Sequence, residues 1–293
     1  MIAPRPSGSG REAADPAPER SINLFFFSLI AVFVGIITGF GAIFFRALIA
    51  AVHNLAFFGR LSTIYDANIH TLASPWGAFV ILVPVIGGMG VVFLVRTFAP
   101  EARGHGVPEV MDAIFYNEGR IRPVVAVVKS LASALAIGTG AAVGREGPII
   151  QIGASLGSSL GGVMRLQVWQ RITLVAAGAG AGIAATFNTP IGGVLFAIEL
   201  MMPEVSTRTF LPVALATGTA TFIGRIFFGP RPAFDVPAVG TLSDHASGVY
   251  ILILYALLGV VAGLGATSFI RGLHFTEEFF ERIKNQYLRH AIG

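Results

Sequence analysis

From Arg103 onward the apolar segments of this 293-residue sequence are short and closely spaced, at 108–117, 123–140, 148–164, 169–187, 190–202 and 210–228. Several fall below the ~20 residues that a helix needs to cross a bilayer, and several open on proline, which suits the first position of a helix. A soluble protein would separate such helices with polar loops, whereas here the gaps are themselves glycine-rich and weakly charged. Helices that start and stop within a membrane are tolerated only where the broken backbone is buried in protein or lines a watery cavity. The pattern reads as an all-α polytopic membrane protein with interrupted helices, which is a transport signal.

Charge content agrees. Asp, Glu, Lys and Arg make up 12% of the chain and hydrophobic residues 54%, where soluble domains carry about 25% charged residues. Mean hydropathy is +0.75. The 36 glycines lie mostly inside the apolar stretches, as close-packed membrane helices require. Without cysteine there is no disulfide framework or thiolate metal site, and the redox compartment stays open. Basic residues sit at the ends of apolar stretches and not in one stripe, which argues against a nucleic-acid surface. His53, His70, His245 and His274 lack the spacing of a metal site.

Residues 1–20 are rich in Pro, Ser and charge, and are expected to form a disordered cytoplasmic tail and not a signal peptide. The remainder, 21–293, is expected to be membrane domain. As one helix, 21–58 would measure roughly 57 Å, about twice the hydrocarbon thickness, and must tilt. Residues 76–98, with Pro84 and Gly87, Gly88 and Gly90 inside, form a second spanning candidate, and 248–272 another, which continues into a charged amphipathic tail.

Two glycine-proline elements dominate the broken region: GHGVPEV at 104–110 and GREGP at 144–148, each just ahead of an apolar segment. Both read as helix starts, where glycine permits a sharp turn and proline presets the first helical residue. The unpaired amides of a first turn carry roughly half a positive charge, so they attract anions without a charged side chain. Glu146, inside GREGP, can compete with an anion for those amides, and its protonation would release the site. It can equally be a plain helix cap. Lys129 is expected to snorkel from its short apolar segment to the interface, the alternative being that it raises the positive potential of the anion vestibule. Arg145 fits either a positive vestibule or an interfacial anchor.

GHGVP, GREGP and the stretch AAGAGAGIAATFNTPIGGVLFAIE at 176–199 occur in the order and spacing of the chloride channel/transporter (CLC) family, which this chain resembles from about Leu24 to its end. The resemblance implies tilted and broken helices comprising the first of two inverted repeats plus the first helix of the second. It implies that Glu146 is the anion gate, with the amides of Arg145, Glu146 and Gly147 lining an outer anion site. It further implies an anion-contacting loop at Gly104, His105, Gly106, Val107 and Pro108. The family motif usually has serine where His105 stands. An imidazole can donate to the anion, swing aside and leave Gly106 and Val107 amides to it, add a protonatable group, or stay hydrogen-bonded to backbone. Proton-coupled members often have a glutamate one position after Glu199, and here that position holds Leu200, which cannot relay protons. Glu199 itself belongs either to a substitute proton path or to the packing.

The ligand implied is chloride or another small anion, with no cofactor, in a multi-pass protein of the cell membrane whose partners are the lipid bilayer and, by resemblance, a second copy of the chain through 191–202 and 210–228. The transport mode is proton/chloride exchange or passive conduction. The second-repeat helix start and pore tyrosine of the family are not found in these residues. An alternative is therefore a truncated, non-conducting fragment that assembles with a full-length homologue. A membrane enzyme with Glu146 and His105 as base and partner is the remaining alternative. It lacks HExxH, GxSxG and a carboxylate pair, so no catalytic or metal-ligating residue is expected.

Overall fold

The computed structural model describes residues 22–65, 73–230 and 249–292. The expected tail at 1–20 lies outside the described residues, as do His70 and His245.

Asn23 decides where the first helix begins. Its side-chain oxygen accepts the Phe26 N–H at 3.0 Å, so α1 runs Leu24–Phe58 and starts three residues later than the apolar pattern alone suggests. Its 35 residues give about 52 Å. The helix ends at Gly59, whose φ of 63° lets its N–H return to the Asn54 and Leu55 carbonyls. A short 3-10 turn, Gly77–Ile81, leads into α2 (Leu82–Phe98), then α3 (Val107–Tyr116), α4 (Pro123–Gly138), α5 (Glu146–Val163), α6 (Val168–Phe187), α7 (Pro190–Phe196), α8 (Thr207–Phe228), α9 (Val249–Glu281) and α10 (Gln286–Ile292). Among the described residues the regular structure is all helical. Among the described residues four spans are long and apolar enough to cross a bilayer: Leu24–Phe58, Gly77–Phe98, Thr207–Phe228 and Tyr250–Glu281. The chain is an integral membrane protein with an all-α polytopic fold.

Proline holds the first position of α4 and α7, as expected, but not of α3, where Pro108 is second, or of α5. That helix starts at Glu146 and carries Pro148 third. Its first backbone bond runs from the Ile149 N–H to the Arg145 carbonyl, so the N–H that Pro148 lacks would have had no partner anyway. The segment 190–202 is also not one helix: after Phe196 it widens into a π turn, Ala197–Met201.

α6 is the centre of the molecule, with Leu174, Val175, Ala176 and Ala177 wholly buried and α1, α5, α7 and α8 packed around it. Small residues make this arrangement possible. Gly153 of α5 and Gly178 of α6 face each other so closely that a Cβ on either would run into the other's carbonyl, and Gly157 meets Leu174 the same way. Gly180 and Gly193 repeat the arrangement between α6 and α7. Backbone on backbone is how helices pack tightly where lipid removes the hydrophobic drive between them. α9 differs: its most apolar stretch has no buried residue, although α10 beyond it packs against α2.

Candidate functional site

Two helix starts meet at the surface of this core. Gly104 and Gly106, with φ of 99° and 101°, turn the chain into α3 through backbone angles that an L side chain rarely adopts. Gly106 lies against Gly147 at the start of α5, where a Cβ on Gly106 would run into the Gly147 carbonyl and one on Gly147 into the His105 carbonyl. GHGVP and GREGP, some forty residues apart in sequence, are thus one backbone-to-backbone junction. Both α3 and α5 begin there, so the free amides and the positive ends of two helices converge.

Glu146 is the first residue of α5 and is exposed, its carboxylate folded back against Gly144. An acidic group at this position is favoured by about 0.3–1 kcal/mol through the helix dipole at an exposed site. Arg145 turns elsewhere and places its guanidinium over the Phe187 ring, 5.7 Å from the centroid. His105 is exposed, and its ring has no hydrogen-bond partner among the described residues. Val107 and Pro108 form the first turn of α3, whose first backbone bond runs from Val110 to Gly106. Glu199 and Leu200 are both exposed on the π turn, which packs on α3, so the third motif is brought to the helix that starts at the first. π turns inside helices are frequent at functional sites.

Two features change the sequence picture. The carboxylate of Glu109 accepts the Gly106 N–H at 2.7 Å, closing the start of α3 upon itself. That amide is thereby engaged within the loop, and Val107 carries the next free N–H. A glutamate three residues after the turn is the recognisable signature of this cap. Lys129, expected to snorkel, does the opposite. It is 4% exposed, and its ammonium donates to the carbonyls of Ala102 at 3.0 Å and Gly104 at 2.8 Å. A buried charge needs such acceptors, and here they come from the loop that enters α3. Lys129 therefore clamps the GHGVP turn from behind. A lone charge in an apolar helix signals an inward-facing role, though not the identity of the carbonyls. Among the described residues no three His, Asp or Glu side chains gather as a metal site.

The same arrangement of helices occurs in solved proteins. A slow cyanobacterial Cl-/H+ antiporter aligns over 94% of this chain and 63% of its own, with a TM-score of 0.71 and 25% identity. A CLC-type fluoride/proton antiporter aligns over 92% of this chain and 62% of its own, with a TM-score of 0.72 and 22% identity, a likeness of fold alone. In sequence, the H(+)/Cl(-) exchange transporter ClcA of Salmonella newport is 35% identical over 261 residues, covering 87% of this chain and 52% of the relative. That of Salmonella schwarzengrund is 35% identical over 260 residues, with 86% and 52% covered. The chain spans about half the length of the curated relatives it matches. Residues 87–293, which hold both helix starts and the π turn, match the family model described as Voltage gated chloride channel, and the chain belongs to that family.

Proposed function

We propose that this chain supplies one side of an anion path across the membrane, with chloride as the ion it best suits and Glu146 as the gate. The observation that carries the proposal is the junction of α3 and α5. Two helix starts point their free amides to one place, and a single exposed carboxylate stands at the second of them. Amides hold a halide less tightly than lysine or arginine would, which favours throughput. Protonating Glu146 neutralises the competitor for those amides, so anion occupancy and protons are linked through one group. Relatives described as H(+)/Cl(-) exchange transporters support this reading. Leu200 at the usual inner proton position makes passive conduction the competing mode.

A second reading is favoured by α9, whose most apolar stretch has no buried residue. In it the chain does not conduct by itself and assembles with a full-length homologue. Homodimerisation belongs to the same proposal and is supported by the exposed Ile191, Leu195, Phe222 and Ile226 on α7 and α8.

Chloride flux in liposomes, with and without a pH gradient, tests the function. Glu146→Gln, placed in the path as the cell assembles it, should retain or increase chloride flux and lose its response to pH. In the wild type, flux should rise as pH falls, because protonation releases the site. A pH response that survives Glu146→Gln removes the gate assignment. Chloride movement that drives no proton movement removes exchange and leaves conduction.

A further inference from the structure

Gly104 lies between two opposite charges. On one side the Lys129 ammonium donates to its carbonyl at 2.8 Å and to that of Ala102 at 3.0 Å. On the other stands the Glu109 carboxylate. One of its oxygens accepts the Gly106 N–H at 2.7 Å, and the other lies so close to Gly104 that a Cβ there would run into it. The two carbonyls satisfy hydrogens of the buried ammonium but leave its full charge in place. Lys129 forms no direct ion pair among the described residues, and Glu109 is the charged side chain that acts on it across the loop.

The charges around this turn can be counted. Lys129 and Glu109 cancel, and the start of α3 adds about half a positive charge. Glu101 is paired with Arg122 at 2.7 Å, while Arg103 and Asp112, both exposed, offer one charge of each sign. Across the junction Arg145 and Glu146 do the same. The turn therefore presents about half a positive charge with Glu109 ionised and about one and a half without it. Gly104 and Val107 are three residues apart, which puts the ammonium on the order of 10 Å from the free Val107 N–H. A unit charge at that distance changes the affinity of a partly buried ion roughly tenfold.

Given the anion path proposed above, we infer that Glu109 is a positioning residue that masks Lys129 from the anion. The loop needs the lysine, because the ammonium ties Ala102 and Gly104 together behind the turn. An unmasked ammonium there would hold an anion too firmly for throughput. Glu109 lets the two requirements coexist. Its carboxylate cancels the charge of the clamp and takes up the Gly106 N–H, so the anion meets the amide dipole of Val107 and not a lysine. Glu109 acts through Lys129 and the loop, without touching the ion.

Chloride binding tests this, followed by titration calorimetry at low ionic strength on the detergent-solubilised protein as the cell assembles it. Glu109→Gln keeps an oxygen that can accept the Gly106 N–H and removes the charge. It should bind chloride roughly tenfold more tightly than the wild type. Lys129→Met should bind roughly tenfold more weakly, because Glu109 is then unopposed. The double variant Glu109→Gln/Lys129→Met should return to within about threefold of wild-type affinity. Glu146 is unchanged throughout, so its own competition for the anion cancels from the comparison. Unchanged or weaker binding in Glu109→Gln overturns the inference. So does tightening that persists in the double variant, since the carboxylate would then repel the anion by itself and mask nothing. Should Glu109→Gln fail to fold, Lys129→Met decides alone, and affinity equal to that of the wild type overturns the inference. Absence of chloride binding in the wild type and every variant overturns the anion path itself, and the masking role with it.

Discussion

Adding one methyl group at Gly153 tests whether the core is held by backbone contact or merely by apolar bulk. The new Cβ would overlap the Gly178 carbonyl oxygen, with its carbonyl carbon at 2.8 Å and the Thr38 methyl at 3.0 Å. Ordinary contact begins near 3.4 Å, so α5 and α6 must part by roughly 0.6 Å or more. A gap of about 0.5–1 Å forfeits a quarter to a half of each lining contact. Overpacking of this kind costs about 1–3 kcal/mol. Alanine also favours helix over glycine by about 0.5–1 kcal/mol, which works in the opposite direction. Gly218→Ala controls for that gain, because a Cβ there meets nothing within 4 Å in the middle of α8. The difference between the two variants isolates the clash. Thermal unfolding in detergent, followed by loss of the monodisperse peak, should place Gly153→Ala several degrees below Gly218→Ala, at about 2–4 °C per kcal/mol. Equal melting temperatures would show that α5 and α6 are not in backbone contact, and the account of the core given above would fail.

Other perturbations address the site. Lys129→Met should cost about 1–3 kcal/mol by leaving the Ala102 and Gly104 carbonyls without their donor, read as a lower melting temperature; unchanged stability would mean that the loop is held by something else. Gly106→Ala should destabilise at least as much as Gly153→Ala, since it combines a φ of 101° with a clash on Gly147, and a neutral result would contradict the junction. For His105→Ser, anion flux should persist with altered preference among halides and nitrate, measured in liposomes; a protein that no longer folds would make the ring structural.

The membrane fold and the two helix starts at GHGVP and GREGP were legible because glycine and proline announce broken helices wherever they fall, but not that the two starts meet. What stayed hidden depends on contacts between distant segments. Lys129 reads as an interfacial residue in its own helix, since its acceptors at 102 and 104 lie 25 and more residues upstream in a loop. The start of α5 was placed two residues late because Pro148 was assigned the first position, although any of the first-turn amides is dispensable. The π turn at Ala197–Met201 has no local composition that separates it from an ordinary apolar helix. Arg46 of α1 and Arg145, the residue just ahead of α5, line one small recess, a pairing that only the packed fold can disclose.

The contact between Gly106 and Gly147 also limits how this molecule can move. Where side chains separate two helices, rotamer changes let the helices slide, but peptide pressed on peptide has no rotamer to change. The two turns must therefore travel together or stay still. Any fast event at this place is left to groups that project from the junction, such as the carboxylate of Glu146 and the imidazole of His105. Under the function proposed for Glu146, such a gate would open by the swing of a few atoms while the framework that presents them kept its shape.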